Sequence, residues 1–504
     1  MKTYIICLIA FIATDVVAQQ TNIPDPNFEQ ALIDLGIDTG IPDGVVPTAN
    51  ISSIDSLTIT SYMINDLTGL EDFAMLSYLD CSVNLIYTLD ISQNVLLSYL
   101  NCSYNQIASI VLTSNPNLTF LSCGGNQLDT LDLSQNTTLE FLSCQGNQIA
   151  ALDLNNNPSL IEVYCGESPF LTILNISQCS QLGILNCQNS QISNLDVTGN
   201  AALEKLYCGY TNINSLDLSQ NTQLKTLNCT QTPLLNLDLT QNTLLHSIWC
   251  GETELISLDL TQNVNLNFVR CDDGELTNLE LPITDSLQWV YCSNNYLTQL
   301  DLTSNPQLRG LGCSKNLITF LDLSLNPELV SISCSENQLL GLDLSNNTML
   351  WGLWLFDNPF YCLNVQNGNN GNFSIFSCVN TPNLTCMEVD DPTYSAMYWL
   401  NVDSTVTFSI NCMDSCSTVG IFDQVYSPLI IYPNPTSGYL RLQLFNQIDA
   451  FRITLKSPLG VLLNSQNVQS SNQLDLIINE PPGIYYLTVE TSSGLSKTFK
   501  VLKE

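Results

Sequence analysis

Residues 118–126 read LTFLSCGGN and residues 224–229 read LKTLNC, so that in both a leucine stands five and two positions before a cysteine. This cysteine returns every 21 residues, with one additional residue between Cys165 and Cys187. The thirteen cysteines of the series are Cys81, Cys102, Cys123, Cys144, Cys165, Cys187, Cys208, Cys229, Cys250, Cys271, Cys292, Cys313 and Cys334. Self-similarity at such a period indicates a protein built from stacked supersecondary units.

Each period contains a second, related segment, for example residues 128–136 (LDTLDLSQN). Side chains alternate between inward and outward in L-x-C and in L-D-L, which is the pattern of a short strand. We name the row of strands before the cysteines the cysteine flank, and the row that carries the aspartates the aspartate flank. The sequence therefore predicts two short parallel strands in each 21-residue coil. A few apolar side chains per coil, each worth about 1.5–3 kcal/mol when buried, stabilise a stack of coils but not one coil alone.

The repeat LxxLxCxxN resembles the leucine-rich repeat family. The resemblance implies a mainly β repeat solenoid that is closed by a cap at each end. We divide the chain into a signal peptide (1–18), an N-terminal cap (19–74), a leucine-rich repeat solenoid (75–356), a C-terminal cap (357–416), a linker (417–428) and a tail domain (429–504). In the N-terminal cap an amphipathic helix is expected over residues 23–38, with Phe28, Leu32 and Leu35 on one side.

Recurring asparagines and cysteines have structural roles in this interpretation. An asparagine amide at a turn satisfies backbone groups that the bend leaves unpaired. Eleven coils carry one after the aspartate segment: Asn94, Asn115, Asn136, Asn157, Asn200, Asn221, Asn242, Asn263, Asn305, Asn326 and Asn347. The ladder cysteines are expected to be free buried thiols, because a small apolar side chain fits a tight stack and their spacing lacks the CxxC pattern of metal sites.

The first eighteen residues combine Lys2, an apolar stretch and Val17-Ala18 before Gln19. This arrangement is typical of a secretory signal peptide that is too short to span a membrane, so the mature chain is expected to be exported and to have no transmembrane segment. Six mature cysteines lie outside the ladder, and in an oxidising compartment some should form disulfides. Cys386 with Cys412 is the favoured pair, because these residues bracket one compact block.

The tail differs in character from the repeats. Residues 431–438 (IYPNPTSG) are followed by glycine turns and a basic end. This tail resembles the C-terminal sorting domain of the type IX secretion system. The resemblance implies a small antiparallel β-sandwich that the secretion machinery recognises, and a secreted or outer-membrane cell-surface location. The residues that carry the resemblance are Tyr432, Pro433, Asn434, Pro435, Gly438, Gly460, Gly483 and Tyr485.

Charge and motif content exclude several functions. Between residues 19 and 427 there are five basic and 41 acidic residues, so the body lacks the positive footprint that nucleic acid requires. The chain has one histidine, and its sequence shows neither a glycine-rich phosphate loop nor a nucleophile motif, which argues against an enzyme. No cofactor is expected, and calcium is the one candidate ion.

The candidate calcium ligands lie on the aspartate flank, where an aspartate occupies the outward position in most coils. Carboxylates about 4.8 Å apart repel one another by about 0.9 kcal/mol in water, and more strongly near a protein surface. Backbone hydrogen bonds, raised pKa values, salt screening or bound calcium would each relieve this repulsion. The predicted calcium ligands are Asp196, Asp217, Asp238 and Asp259.

Aromatic residues occupy outward positions of the cysteine flank, and all five basic residues of the body belong to this flank. A row of exposed aromatic residues with cations among them is typical of a partner-binding surface, whereas the alternative is cross-strand packing that stiffens the sheet. The predicted contact residues are Tyr164, Tyr207, Trp249, Phe268, Arg270, Trp289, Tyr291 and Trp354. The sequence thus predicts an exported protein that mediates binding or adhesion to a protein or glycan partner. The alternative function is a structural, calcium-loaded surface component that uses the aspartate ladder.

Overall fold

The computed structural model describes residues 19–412, 416, 430–432, 436, 438–457, 461–491 and 496–503. The predicted signal peptide (1–18) and linker (417–428) lie outside the described residues. The chain forms two compact units. The first extends to Ile318 and includes residues 325–335, and the second comprises residues 319–324 and the chain from Glu336 onward.

The first unit begins with a small cap. The antiparallel strands Gln20–Asn22 and Val45–Pro47 accompany the helix Pro26–Asp34 and the short helix Thr48–Ile51. The Asp25 carboxylate accepts hydrogen bonds from the backbone N of Asn27 and Phe28, which fixes the start of the first helix. Phe28 and Leu32 are fully buried. Leu35, expected on the same side, is 48% exposed because the helix has already ended at Asp34.

The coils of the first unit stack through a parallel sheet on the cysteine flank, which confirms the predicted solenoid. Neighbouring strands pair residue for residue, as Tyr99 and Leu100 do with Phe120 and Leu121. The middle residue of each strand points inward and is buried. The strands are Ser56–Thr58, Tyr78–Asp80, Tyr99–Asn101, Phe120–Ser122, Phe141–Ser143, Glu162–Tyr164, Ile184–Asn186, Lys205–Tyr207, Thr226–Asn228, Ser247–Trp249, Phe268–Arg270, Trp289–Tyr291, Gly310–Gly312 and Ser331–Ser333.

Pairing on the aspartate flank is shorter. In the first unit it joins Ala151–Asp153 with Ile173–Asn175 and Ser257–Asp259 with Asn278–Glu280, and a single bridge links Leu89 with Ile110. The inward side chains of this flank are mostly two leucine-sized groups per coil, whereas the cysteine flank combines one such group with a small thiol. We attribute the more continuous strand pairing on the cysteine flank to this difference in side-chain volume.

Asparagine side chains satisfy the backbone at both turns. After the aspartate segment, Asn115 Nδ2 donates to the carbonyl oxygens of Ile91 and Asn94 at 3.1 and 2.9 Å. In the coil that carries the additional residue Cys179 takes this place, and its thiol donates to the Leu154 carbonyl at 3.4 Å. After the cysteine segment, Asn105 Oδ1 accepts from the Ile86 backbone N.

The backbone turns sharply two residues after each ladder cysteine. These residues have positive φ, for example 55° at Tyr104, 58° at Tyr210 and 53° at Glu252. The left-handed conformation costs a non-glycine residue about 1–2 kcal/mol. Hydrogen bonds between coils offset this cost, since Tyr104 N donates to the Gly124 carbonyl at 2.8 Å and Tyr210 N to Thr230 at 2.7 Å.

The second unit continues the repeat and then departs from it. Strands Gly341–Asp343, Cys362–Asn364, Cys386–Glu388 and Thr407–Ser409 form one parallel sheet, and Gly352–Trp354 pairs with Ile375–Ser377. The helix Pro392–Tyr398 is capped at its N-terminus by Asp391, whose carboxylate accepts hydrogen bonds from the backbone N of Thr393 and Tyr394. Beyond this helix, Trp399 stacks on Phe376 with 4.1 Å between ring centroids.

The tail is antiparallel, as predicted. Its strands are Ile430–Tyr432, Tyr439–Lys456, Leu462–Ile477, Gly483–Thr491 and Ser496–Lys503. The strand Tyr439–Lys456 pairs with three of the others, and Gly483–Thr491 pairs with Ser496–Lys503. Leu440, Leu442, Ile453, Leu487 and Val489 belong to a hydrophobic cluster formed within the tail.

Candidate binding surface on the cysteine flank

The aromatic residues of the cysteine flank divide into two groups. At the N-terminal end, Tyr78, Tyr99, Phe120 and Phe141 occupy the first position of successive strands. Their rings stack nearly parallel, with centroid distances of 4.1, 4.1 and 4.3 Å. Much of the surface of each ring is therefore in contact with its neighbours. These four residues fit cross-strand packing that stiffens the sheet better than they fit contact with a partner.

The second group lies further along the first unit and packs less regularly. Trp249 and Phe268 are tilted by 33° with centroids 5.0 Å apart, and Phe268 and Tyr291 are tilted by 51° at 5.8 Å. Tyr164 and Tyr207 are also half-buried on their strands. The structure thus places six predicted contact residues on one sheet face of the first unit. We name Tyr164, Tyr207, Trp249, Phe268, Trp289 and Tyr291 the aromatic surface.

Two glycines in the next coil make room for the last rings of this surface. A Cβ on Gly310 would lie 2.2 Å from the Trp289 ring, and one on Gly312 would lie 2.8 Å from the Tyr291 ring. Both rings therefore lie flat against the adjacent strand instead of standing up from it. This arrangement fixes the orientation of the two rings, which are half-buried.

Basic residues lie among the aromatic rings. Lys225 forms an ion pair with Glu204 at 2.8 Å, and Arg270 Nε bonds Asp272 Oδ2 at 2.9 Å. The Arg270 side chain is 57% exposed. Burial, the largest cause, raises the pKa of Asp272 even though it accepts from Arg270 and from Ser293 N. Burial also raises the pKa of Tyr164 to about 12, assisted by its hydrogen bond to Glu162.

Trp354 belongs to the second unit, where it ends the strand Gly352–Trp354 and is half-buried. Trp351, just before this strand, is 44% exposed. Trp354 is therefore described with the second unit, and the aromatic surface is defined by residues of the first unit.

The predicted calcium ligands have a local explanation. Asp196 Oδ1 accepts hydrogen bonds from the backbone N and the hydroxyl of Thr198 at 2.9 and 2.6 Å, and Asp238 and Asp259 bond Thr240 and Thr261 in the same way. Asp217 accepts from the Ser219 backbone N. Hydrogen bonds to the residue two positions ahead lower the pKa of Asp196, Asp217 and Asp238. Among the described residues no group of three acidic, His or Cys side chains forms a metal-binding cluster.

The cysteines outside the ladder take two arrangements. Cys386 is bonded to Cys412, the pair favoured from the sequence, and Cys362 is bonded to Cys416. Cys179 and Cys378 form no disulfide and are buried, and the same holds for the thirteen ladder cysteines. Burial raises the pKa of every ladder thiol for which a shift is resolved, to about 12 for Cys102, Cys144, Cys187 and Cys250.

Part of the predicted sorting motif lies in the described tail. Tyr432 ends the first tail strand, Gly483 begins the fourth, and the buried Tyr485 donates its hydroxyl hydrogen bond to the Pro481 carbonyl. Gly438 has φ +113° and a Cβ there would lie 3.0 Å from the Ile478 carbonyl oxygen, so the turn requires glycine. Pro433, Asn434, Pro435 and Gly460 lie outside the described residues.

A depression of about 200 Å³ beside Trp249 and Arg270 was not predicted from the sequence. Its floor is Gly251, where a Cβ would lie 2.7 Å from the Asp272 carbonyl oxygen. Glycines at this place, directly after a ladder cysteine, also occur at Gly166 and Gly209. Such a glycine is the available sequence signal, because it removes a side chain from a face that otherwise carries one in each coil.

Comparison with known proteins agrees with both parts of the chain. Residues 430–504 match the family described as the secretion system C-terminal sorting domain. The functional domain of InlJ from Listeria monocytogenes, described as including a cysteine ladder, aligns with a TM-score of 0.60 and 24% identity, over 97% of this chain and 99% of that one. An internalin, inlF, from the same organism aligns with a TM-score of 0.52 and 20% identity, over 72% and 98% of the two chains.

No curated protein matches the sequence. In the described chain, no helix has both the length and the apolar character needed to cross a membrane. The sorting domain places the protein outside the cell or on its outer-membrane surface. The chain thus has the fold of a leucine-rich repeat solenoid with its own cysteine ladder, and residues 430–504 match the sorting domain of the type IX secretion system.

Proposed function

We propose that this protein is a surface-delivered binding or adhesion protein whose partner contacts the aromatic surface of the first unit. One observation carries the proposal. Half-buried, irregularly packed aromatic residues lie with Lys205 and Arg270 on one sheet face, and Lys225 and His246 come directly before its strands, in a chain whose formal net charge is −35. Aromatic residues and arginine dominate the energetics of protein recognition surfaces, so this face combines the residue types that binding uses most.

The aspartate flank supports this choice of face by contrast. Its outward carboxylates are already bonded to neighbouring backbone amides, as Asp196 is to Thr198 N. Carboxylates held in this way are solvated surface groups, and the calcium-loaded structural role therefore has less support than the binding role. The partner class is a protein or a glycan, because repeat scaffolds of one architecture host many ligands. Trp354, in the second unit, remains a further predicted contact residue.

The test compares two triple variants of the full exported chain. Replacing Tyr207, Trp249 and Tyr291 with alanine should lower binding to the retained components of a glycan and protein array by at least about tenfold, because aromatic anchors cost 2 kcal/mol or more when removed from an interface. Replacing Asp196, Asp217 and Asp238 with asparagine should leave binding nearly unchanged. Circular dichroism of both variants checks that the coils remain folded.

Tyr87→Ala provides the matched control, because Tyr87 is 57% exposed but lies outside the cysteine-flank strands. Its binding should equal that of the unmodified chain. Wild-type binding by the aromatic triple variant would contradict the proposal. Loss of binding in the folded aspartate variant would instead move the partner site to the aspartate flank.

A further inference from the structure

The depression at Gly251 lies on the cysteine flank beside the aromatic surface. Trp249 and Tyr210 both line it, and Tyr210 is 46% exposed at a positive-φ turn. Its volume of about 200 Å³ is smaller than the 300–1,000 Å³ of pockets that enclose drug-sized molecules. The site therefore suits one ring-sized group of a longer ligand rather than a whole molecule.

Hydrogen-bond donors line the depression together with the rings. Arg270 is held through Nε by Asp272, and its Nη groups have no partner among the described residues, so they are available to a ligand. The Asn228 side chain accepts from Thr230 N through Oδ1, which directs its Nδ2 group to serve as a donor. Two donor side chains therefore flank the floor at Gly251.

Acceptors complete the lining. Glu252 and Asp273 are exposed at the rim, and Asp273 uses Oδ1 to accept from Asn294 Nδ2 at 2.8 Å, which leaves Oδ2 for a ligand. Together with Asp272 they give three carboxylates against the single guanidinium of Arg270. This balance disfavours an anionic ligand, because like charges at short range repel more strongly near a protein surface than in water.

We propose that the depression binds one sugar unit of an uncharged saccharide. A pyranose presents C–H groups that pack on the faces of Trp249 and Tyr210, and its hydroxyl groups donate to carboxylates while they accept from arginine and amide groups. The depression thus offers aromatic faces, hydrogen-bond donors and hydrogen-bond acceptors next to one another, which is the combination that a sugar ring can use. The proposal rests on the proposed function, since it names the ligand class for part of the same flank.

The experiment titrates the full exported chain with neutral oligosaccharides built from glucose, galactose, mannose or N-acetylglucosamine, and reads binding by calorimetry. At least one should bind, with an affinity that does not change from low to high salt, because an uncharged ligand releases no counterions. Trp249→Ala, Tyr210→Ala and Arg270→Ala should each weaken that affinity by about tenfold or more. Tyr104→Ala is the control for Tyr210→Ala, since both tyrosines stand at equivalent positive-φ turns.

Three outcomes would overturn the proposal: no neutral oligosaccharide binds, the Trp249 and Arg270 variants bind as the unmodified chain does, or only oligolysine binds and loses affinity in salt. The last outcome would identify the depression as a site for a basic peptide. If no saccharide binds but the aromatic triple variant loses its array binding, the saccharide proposal is rejected and the proposed function is retained. If the unmodified chain binds a saccharide but the aromatic triple variant keeps its array binding, the proposed binding surface is rejected instead.

Discussion

The ladder cysteines are buried, and burial makes the ionised thiolate form unfavourable. Burial is the largest cause of the raised pKa at Cys102 and Cys250, and neighbouring thiols add to it at Cys123 and Cys271. A thiolate is the reactive form of cysteine, so a buried thiol of raised pKa resists both alkylation and disulfide exchange. An exported chain with thirteen buried ladder thiols therefore avoids disulfide mispairing only while its coils remain stacked.

Native protein should resist alkylation at Cys102, Cys123 and Cys229, and all three should react after unfolding. Alkaline titration gives a second measure. Below about pH 9 both states are protonated and the thiols stabilise the fold fully; as pH rises toward the folded pKa of about 12, only the unfolded chain ionises and stability is lost. The free energy of unfolding should fall by about 1.4 kcal/mol per pH unit for each such thiol.

Cys102→Ala is the control for this titration, because it should reduce the slope by the share of one thiol without changing its onset. Rapid native labelling of Cys102, Cys123 and Cys229 would show that the ladder is open to solvent. An unchanged slope in the alanine variant would show that other groups cause the alkaline loss of stability.

The turn asparagines act through their donors. Asn136 Nδ2 bonds the carbonyl oxygens of Leu112 and Asn115 at 3.2 and 2.8 Å, and the residue is 1% exposed. In Asn136→Ala each of these carbonyls keeps only its backbone donor, Asn115 N or Leu118 N, so the loss of two buried hydrogen bonds should cost about 0.5–1.5 kcal/mol each and lower the urea midpoint. Asn136→Asp should be worse because its carboxylate would face those carbonyls. Asn136→Cys should be milder, since Cys179 already donates from the equivalent place.

Gln135→Ala is the neighbouring control, because Gln135 is exposed and bonds only Ser134. Its midpoint should match that of the unmodified chain. Equal midpoints for the alanine, aspartate and cysteine variants of Asn136 would mean that the side-chain donor does not stabilise the turn.

At the scale of the element, the cysteine flank was predictable because its signal is periodic. A leucine, an outward residue and a cysteine recur at one spacing, and that spacing alone defines a parallel ladder. The uneven pairing on the aspartate flank was not predictable, since it depends on how summed side-chain volumes separate neighbouring coils. The sequence could place Trp249 and Arg270 on one face. It could not predict the depression beside them, because that depends on how the side chains of neighbouring coils pack around Gly251.

The aspartate ladder should respond to salt as a screened surface. Because Asp196, Asp238 and Asp259 already accept two local hydrogen bonds each, we expect millimolar calcium to raise the melting temperature no more than sodium of matched ionic strength. Native-state binding of calcium would instead raise it well beyond sodium, by mass action. A calcium-specific shift that disappears in the Asp196, Asp217 and Asp238 to asparagine variant would establish the calcium-loaded alternative.

At the scale of the whole molecule, the tail and the coils have separate cores. The tail cluster that includes Leu440, Leu455 and Val501 is formed within the tail strands themselves. Deleting residues 430–504 should therefore leave the solenoid folded while the chain accumulates in the periplasm. Cell fractionation with surface protease accessibility measures this outcome, and circular dichroism of the periplasmic chain checks its fold. Normal surface delivery of the shortened chain would show that the tail is not its sorting signal.

The residue-for-residue pairing of neighbouring strands has a genetic consequence. A strand such as Tyr99–Asn101 meets its neighbours through the same backbone pattern on both sides, so its contacts do not depend on how many coils precede it. Loss or duplication of one full repeat in the gene, as unequal recombination produces, would rejoin matching surfaces and preserve the reading frame. Variation in this protein should therefore accumulate as changes of whole repeats, whereas most shorter insertions would break the register.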